Sequence, residues 1–108
     1  MTWKLFIDDE RHPKTVEWVI ARTSADAIHQ VRTRGMPTEI AFDHDLGRDT
    51  YGQDDTTMKF LNWMTDQFLD GTLSFPEGFK YSVHSMNPVG ARMIANRMNA
   101  LLDHFRKK

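Results

Sequence analysis

The chain has 108 residues, 40% hydrophobic and 27% charged, with a formal net charge of -1. Those values fit one globular domain with one core. They exclude a general electrostatic surface for nucleic acid or anionic membrane, so any bound anion must be held by a local site. The absence of cysteine excludes disulfides, thiolate metal sites and cysteine nucleophiles.

In chain order, the first element is an apolar run from Trp3 to Ile7, closed by Asp8-Asp9, which reads as a buried strand. That run is too short for a secretion signal, and no stretch reaches the ~20 apolar residues that span a bilayer. A cytoplasmic protein is expected. After the polar turn Glu10-Arg11-His12-Pro13-Lys14, the β-branched and aromatic segment Val16 to Ala21 predicts a second strand.

Thr23-Ser24-Ala25-Asp26 starts a helix, with a capping hydroxyl and an acid in the first turn. Ala27, Ile28 and Val31 form its buried stripe, and Gly35 then Pro37 stop it. Ile40-Ala41-Phe42 predicts a third strand ending in Asp43-His44-Asp45-Leu46-Gly47. A glycine-containing loop leads to a second helix over roughly Gln53 to Leu69, with Phe60, Leu61, Met64 and Phe68 on one face. Phe79 to Val83 alternates as a fourth strand. Asn87 then caps a last helix with Pro88 at its first position. Ile94, Met98, Leu101 and Phe105 line that helix's inner face, and Arg106-Lys107-Lys108 suits its negative end.

Strands alternating with helices predict an α/β fold, a small and mainly parallel four-stranded sheet flanked by helices. The joint between Ile7 and Val16 is too short for a crossover helix. A shortened loop keeping the second strand parallel is preferred, with an antiparallel strand as the alternative.

In an open parallel sheet, ligands bind outside the carboxyl ends of the strands. Here three strands deliver Asp8-Asp9, Asp43-His44-Asp45 and His84-Ser85-Met86-Asn87 to one edge. Clustered aspartates repel one another unless a cation compensates: a metal ion, Arg11, or protonated His44 and His84. Oxygen ligands suit Mg²⁺ or Mn²⁺, and added imidazole favours Mn²⁺ or another transition metal. On an extended strand Asp43 and Asp45 point the same way and His44 the opposite way.

Facing the acids, the first turn of the last helix offers backbone N–H groups to an anion, with small Gly90 allowing close approach. Asn87 can serve as N-cap, ligand contact or both. His84 is expected at the mouth between the two sides as general acid or base. No role is assigned to His12, His29 or His104. Trp3, Trp18 and Trp63, with the methionines, read as core packing, whereas Tyr51 is the aromatic expected to touch a ligand.

An acid pair closing the first strand, an Asp closing the third and a hydroxyl closing the fourth resemble the response-regulator receiver domain, a flavodoxin-like fold. More specifically, residues 6–13, Phe42 to Gly47 and Val83 to Gly90 resemble the cyclic-phosphate processing receiver-like domain. That resemblance implies a truncated receiver architecture and a hydrolase of cyclic or terminal phosphates. By position it implies that Asp8, Asp9 and Asp43 hold the metal. It makes His44, Asp45 and His84 additional polar groups, and it puts Ser85 and Asn87 near the phosphate. A receiver's fifth strand, ending in a lysine, has no counterpart here, so phospho-acceptance by Asp43 is not expected.

The leading expectation is a metal-assisted phosphoesterase acting on a nucleotide or RNA end. Its catalytic groups would be His84, His44 and Asp45, with phosphate contacts from Arg11, Ser85, Asn87 and Gly90. The rivals are a binder that sequesters a phosphorylated ligand, and a degenerate receiver serving as an interaction module.

Overall fold

The structure is a computed structural model that describes residues 2–49 and 51–106. Its elements are β1 (Lys4–Ile7), β2 (Trp18–Ala21), α1 (Ser24–Arg34), β3 (Glu39–Phe42) and β4 (Asp45–Arg48), then β5 (Asp54–Thr56), α2 (Thr57–Leu69), β6 (Lys80–Val83) and α3 (Pro88–Phe105). The main sheet has the order β2-β1-β3-β6 and is parallel throughout. This is the order of the first four strands of the flavodoxin-like fold. The turn and loop after β1 carry no helix, yet β2 pairs in parallel with β1.

Both crossovers, β2 to β3 through α1 and β3 to β6 through α2, step the same way across the sheet. Right-handed connections therefore put both helices on one face. There α1 packs on α2 and α2 on α3. Strand alternation matches: Leu5, Ile7, Ile40 and Phe42 join the core with Val31, Phe60, Leu61, Met64, Ile94 and Met98. Lys4, Phe6, Glu39 and Ala41 point to the other face, which no helix of the described residues covers. Among the described residues, no helix is long and apolar enough to cross a membrane.

Three expectations are corrected. Val16 is fully exposed and lies outside β2, which begins at Trp18. Residues 53–56 do not open α2; Asp54–Thr56 pairs antiparallel with Asp45–Arg48, and α2 starts at Thr57 behind the Thr56 cap. Trp18 lies on the helix-free face, whereas Trp3 and Trp63 pack against the core. At the chain end, Arg106 closes α3 and donates to the Phe79 carbonyl, while Lys107 and Lys108 lie outside the described residues.

The β4–β5 hairpin is tied down by a buried acid. Asp55 accepts from the Ser24 N–H at 2.8 Å and from the Ser24 hydroxyl at 2.6 Å. It thus caps α1 from across the molecule, where a carboxylate also meets the positive end of the helix dipole. We predict that Asp55→Ala lowers stability by about 3 kcal/mol, because both Ser24 donors lose their acceptor in a buried place. Denaturant unfolding checks this, and a loss below about 0.5 kcal/mol would show that the cap is dispensable.

Candidate functional site

Register places the site. Ile7 pairs with Phe42 and Phe42 with Val83, so the next residues, Asp8, Asp43 and His84, leave three adjacent strands at one level. Backbone bonds carry the alignment one step further, from Asp43 N–H to Ile7 O at 2.9 Å and from His84 N–H to Phe42 O at 2.8 Å. The edge between β1 and β3 is where the chain reverses its direction of travel across the sheet, the switch point at which such folds bind ligands.

Asp8 is only 1% exposed. Its Oδ1 accepts from the Glu10 N–H at 2.9 Å and the Arg11 N–H at 3.0 Å, and its Oδ2 meets His84 Nε2 at 3.0 Å. Burial pushes its pKa up, but the two N–H groups and the His84 ring outweigh burial and hold it below the ordinary value. Asp43 behaves oppositely. Burial raises its pKa, and repulsion from Asp8 adds to this beyond what the His44 N–H and Ser85 offset. One oxygen from each of Asp8, Asp9 and Asp43 lies within 4.8 Å of the others, so the three converge on one point. Gly47, with φ at +75°, lets β4 pass close by, since a Cβ there would lie 3.3 Å from Asp9 Oδ2.

In front of these acids lies a cleft of about 340 Å³, lined by Asp9, Arg11, Asp43, Asp45, Ser85 and Asn87 among others. Asp45 bridges its wall: Oδ1 meets His44 Nδ1 at 2.9 Å, and Oδ2 accepts from Asn87 Nδ2 at 3.3 Å. The His44 contact, with Asn87 helping, lowers the Asp45 pKa despite some burial. Asn87 is also the N-cap of α3, its Oδ1 accepting from the Gly90 N–H at 3.0 Å. Ser85 Oγ accepts from the Asn87 N–H at 3.1 Å.

Three of the expected roles shift. Gly90 does not present a free N–H to an anion, because that N–H belongs to Asn87 and the His44 side chain packs on its Cα. A small residue is needed there for His44, not for a ligand. His84 does not stand at the mouth of the acidic cleft. It sits behind Asp8, stacked on Phe6 with ring centroids 4.8 Å apart and planes 8° apart. Tyr51 is exposed and is not among the residues lining the cleft.

Arg22 holds the site together and carries no signal in the sequence. Its guanidinium donates to the carbonyls of Asp8 at 3.1 Å and Arg11 at 2.7 Å, pinning the β1–β2 loop. Arg11 in turn donates to the His84 carbonyl at 2.8 Å, which leaves most of its donors for other partners.

The profile of the cyclic-phosphate processing receiver domain family matches residues 3–100 of the chain. No curated protein matches it, and no solved structure does.

A Cβ on Gly90 would stand 2.3 Å from His44 Cγ and 2.8 Å from His44 Cβ, so the imidazole could not stay. We predict that Gly90→Ala destabilises the protein by about 1–3 kcal/mol, the range for overpacking, and breaks the His44–Asp45 contact. Thermal unfolding and the imidazole NMR signals of His44 check both. Unchanged stability with unchanged His44 signals would contradict this packing.

Proposed function

The chain belongs to the cyclic-phosphate processing receiver domain family, and from that premise we propose that it is a metal-assisted phosphoesterase acting on a cyclic or terminal phosphate of a nucleotide or RNA end. The observation that carries this reading is the composition of one cleft. The carboxylates of Asp8, Asp9 and Asp43 converge on a point; Asp9 and Asp43 line the cleft with Arg11, Ser85 and Asn87, and Asp8 is buried beside them. A phosphate carries negative charge and would not enter an acidic cleft alone, so the acids fit a shared cation.

The donor set fits a hard ion such as Mg²⁺ or Mn²⁺, since all three groups are carboxylates. Asp8, Asp9 and Asp43 would hold it, and when bound it would neutralise and polarise the phosphate. Asp8 keeps lone-pair capacity for this after accepting its hydrogen bonds, a carboxylate having about four sites. Arg11 would bind phosphate oxygens through its remaining donors. The Asp45–His44 pair would take the proton of the attacking water, with Asp45 fixing the orientation of the imidazole. His84 would act from behind Asp8, keeping it ionised and oriented.

Capture without turnover is the second reading. It is favoured by the placement of both imidazoles, neither of which is among the residues lining the cleft. Incubation with nucleoside 2′,3′- and 3′,5′-cyclic phosphates and Mg²⁺ or Mn²⁺, followed by mass spectrometry, separates the two. The phosphoesterase reading predicts ring-opened product, lost in Asp43→Ala and at least about 100-fold reduced in His44→Ala, the usual scale of general-base loss. Ligand that binds tightly and is recovered intact supports capture, and no binding at all overturns both.

The cation reading makes a separate prediction about stability. Ionised Asp43 is disfavoured by burial and by Asp8, so Asp43→Asn should stabilise the metal-free protein at pH 7 by about 1 kcal/mol, as removal of functional-site strain commonly does. A raised folded-state pKa places this gain above the ordinary value near 3.8. The gain should therefore fade as pH falls through the raised value and vanish below the ordinary one. The same variant should lose the thermal stabilisation given by Mn²⁺. Lower metal-free stability with a retained Mn²⁺ response would contradict the role of Asp43.

A further inference from the structure

The face of the sheet without helices holds a second concavity, a slot of about 460 Å³. It is lined by Phe6, Trp18, Ala41 and His84 on the sheet side and by Arg11, Pro13 and Glu17 of the β1–β2 connection. That volume lies in the range of small-molecule sites. The aromatic rings are ordered against one another. Phe6 stacks on His84 and meets Trp18 edge to face, with centroids 6.0 Å apart.

We propose that this slot is the base subsite of the ligand, seating a purine or pyrimidine ring against Trp18 and His84 while the attached phosphate reaches round Arg11 into the acidic cleft. The inference rests on the phosphate reading above and narrows it to ligands that carry a base. Three observations favour this occupant. Arg11 lines both the slot and the cleft, so the two are neighbours. His84 forms part of the slot while its Nε2 touches Asp8 Oδ2, so one side chain spans from the aromatic surface to the acids.

The third observation concerns the rest of that face. Towards the strand starts it is closed by an ion-pair row: Lys4 meets Glu17 at 2.8 Å and Glu39 at 3.7 Å, and Lys80 meets Glu39 at 3.8 Å. A protein laid across the face would have to desolvate the whole row, whereas a planar ring in the slot meets only its Lys4–Glu17 end, where Lys4 Nζ lies 5.3 Å from the Trp18 ring centroid. Base stacking on aromatic side chains suits a flat heterocycle and tolerates any base.

The test uses the full chain and titrates four probes: adenosine, adenosine 2′,3′-cyclic phosphate, glycerol cyclic phosphate, and a short RNA ending in a 2′,3′-cyclic phosphate. Each is run with Mn²⁺ on the unaltered protein, Trp18→Ala and Ala41→Leu. Ala41 faces the slot, so leucine fills it without touching the acids. We expect adenosine cyclic phosphate to bind at least about tenfold more tightly than glycerol cyclic phosphate, and both variants to erase that difference, as loss of one stacked base would. The Mn²⁺-dependent thermal shift should survive in Ala41→Leu, which shows that the fold and the acids are intact.

Equal affinity for the nucleotide and the base-free phosphate overturns the proposal. So does a nucleotide affinity untouched by both variants, or self-association through this face that Trp18→Ala abolishes while adenosine has no effect. Adenosine that binds and is blocked by Ala41→Leu, with no gain from any phosphate, keeps the slot and removes the phosphate reading instead. The mononucleotide and RNA arms identify which source of the base is preferred.

Discussion

A single buried carboxylate organises the functional end of this protein. Asp8 is sealed at the end of β1, where an ionised group is costly, and it is kept ionised by two backbone N–H groups and the His84 ring. Each of those partners has a further use. The N–H of Arg11 fixes the loop from which its guanidinium reaches the cleft. His84 carries the order from Asp8 to the aromatic surface behind it. Asp43, facing the same charge without the same support, is left unfavourably ionised. The two acids thus differ: the fold favours the ionised form of Asp8 and disfavours that of Asp43.

The one-sided placement of the helices follows from the connections and sets what else is possible. With α1, α2 and α3 on one face, the main core closes there, and the opposite face, where Phe6 and Ala41 are still buried, carries the charged row of Lys4, Glu39 and Lys80. The aromatic slot exists because the β1–β2 connection is a loop. A helix in that place would pack over Phe6 and Trp18. The shortened joint is therefore both a departure from a full receiver and the source of the second concavity.

Much of this was legible in the sequence for a physical reason: apolar runs that stop abruptly at acids mark strand ends, and parallel register then brings those ends together. Asp8, Asp43 and His84 follow from that logic, as do the helix stripes of Ala27 and Val31, of Phe60 and Met64, and of Ile94 and Met98. What stayed hidden depends on contacts between distant residues. Five of the seven residues in the two strands of the β4–β5 hairpin are Asp, Gly or Arg, which carry little strand propensity, and it is tied down by Asp55 reaching Ser24. Nothing local marks Arg22 as the clamp of the β1–β2 loop. Gly90 read as room for a ligand because a sequence cannot show that His44 fills the space.

The central claim is that a cation held by Asp8, Asp9 and Asp43 meets a phosphate in the cleft beside them. The most direct measurement is ³¹P NMR of a bound nucleoside 2′,3′-cyclic phosphate during titration with Mn²⁺, whose unpaired electrons broaden only nearby nuclei. The account predicts strong broadening of the phosphorus signal with the unaltered protein and its loss in Asp9→Asn and Asp43→Asn. A ligand and Mn²⁺ that both bind, with the phosphorus signal left sharp, would contradict it.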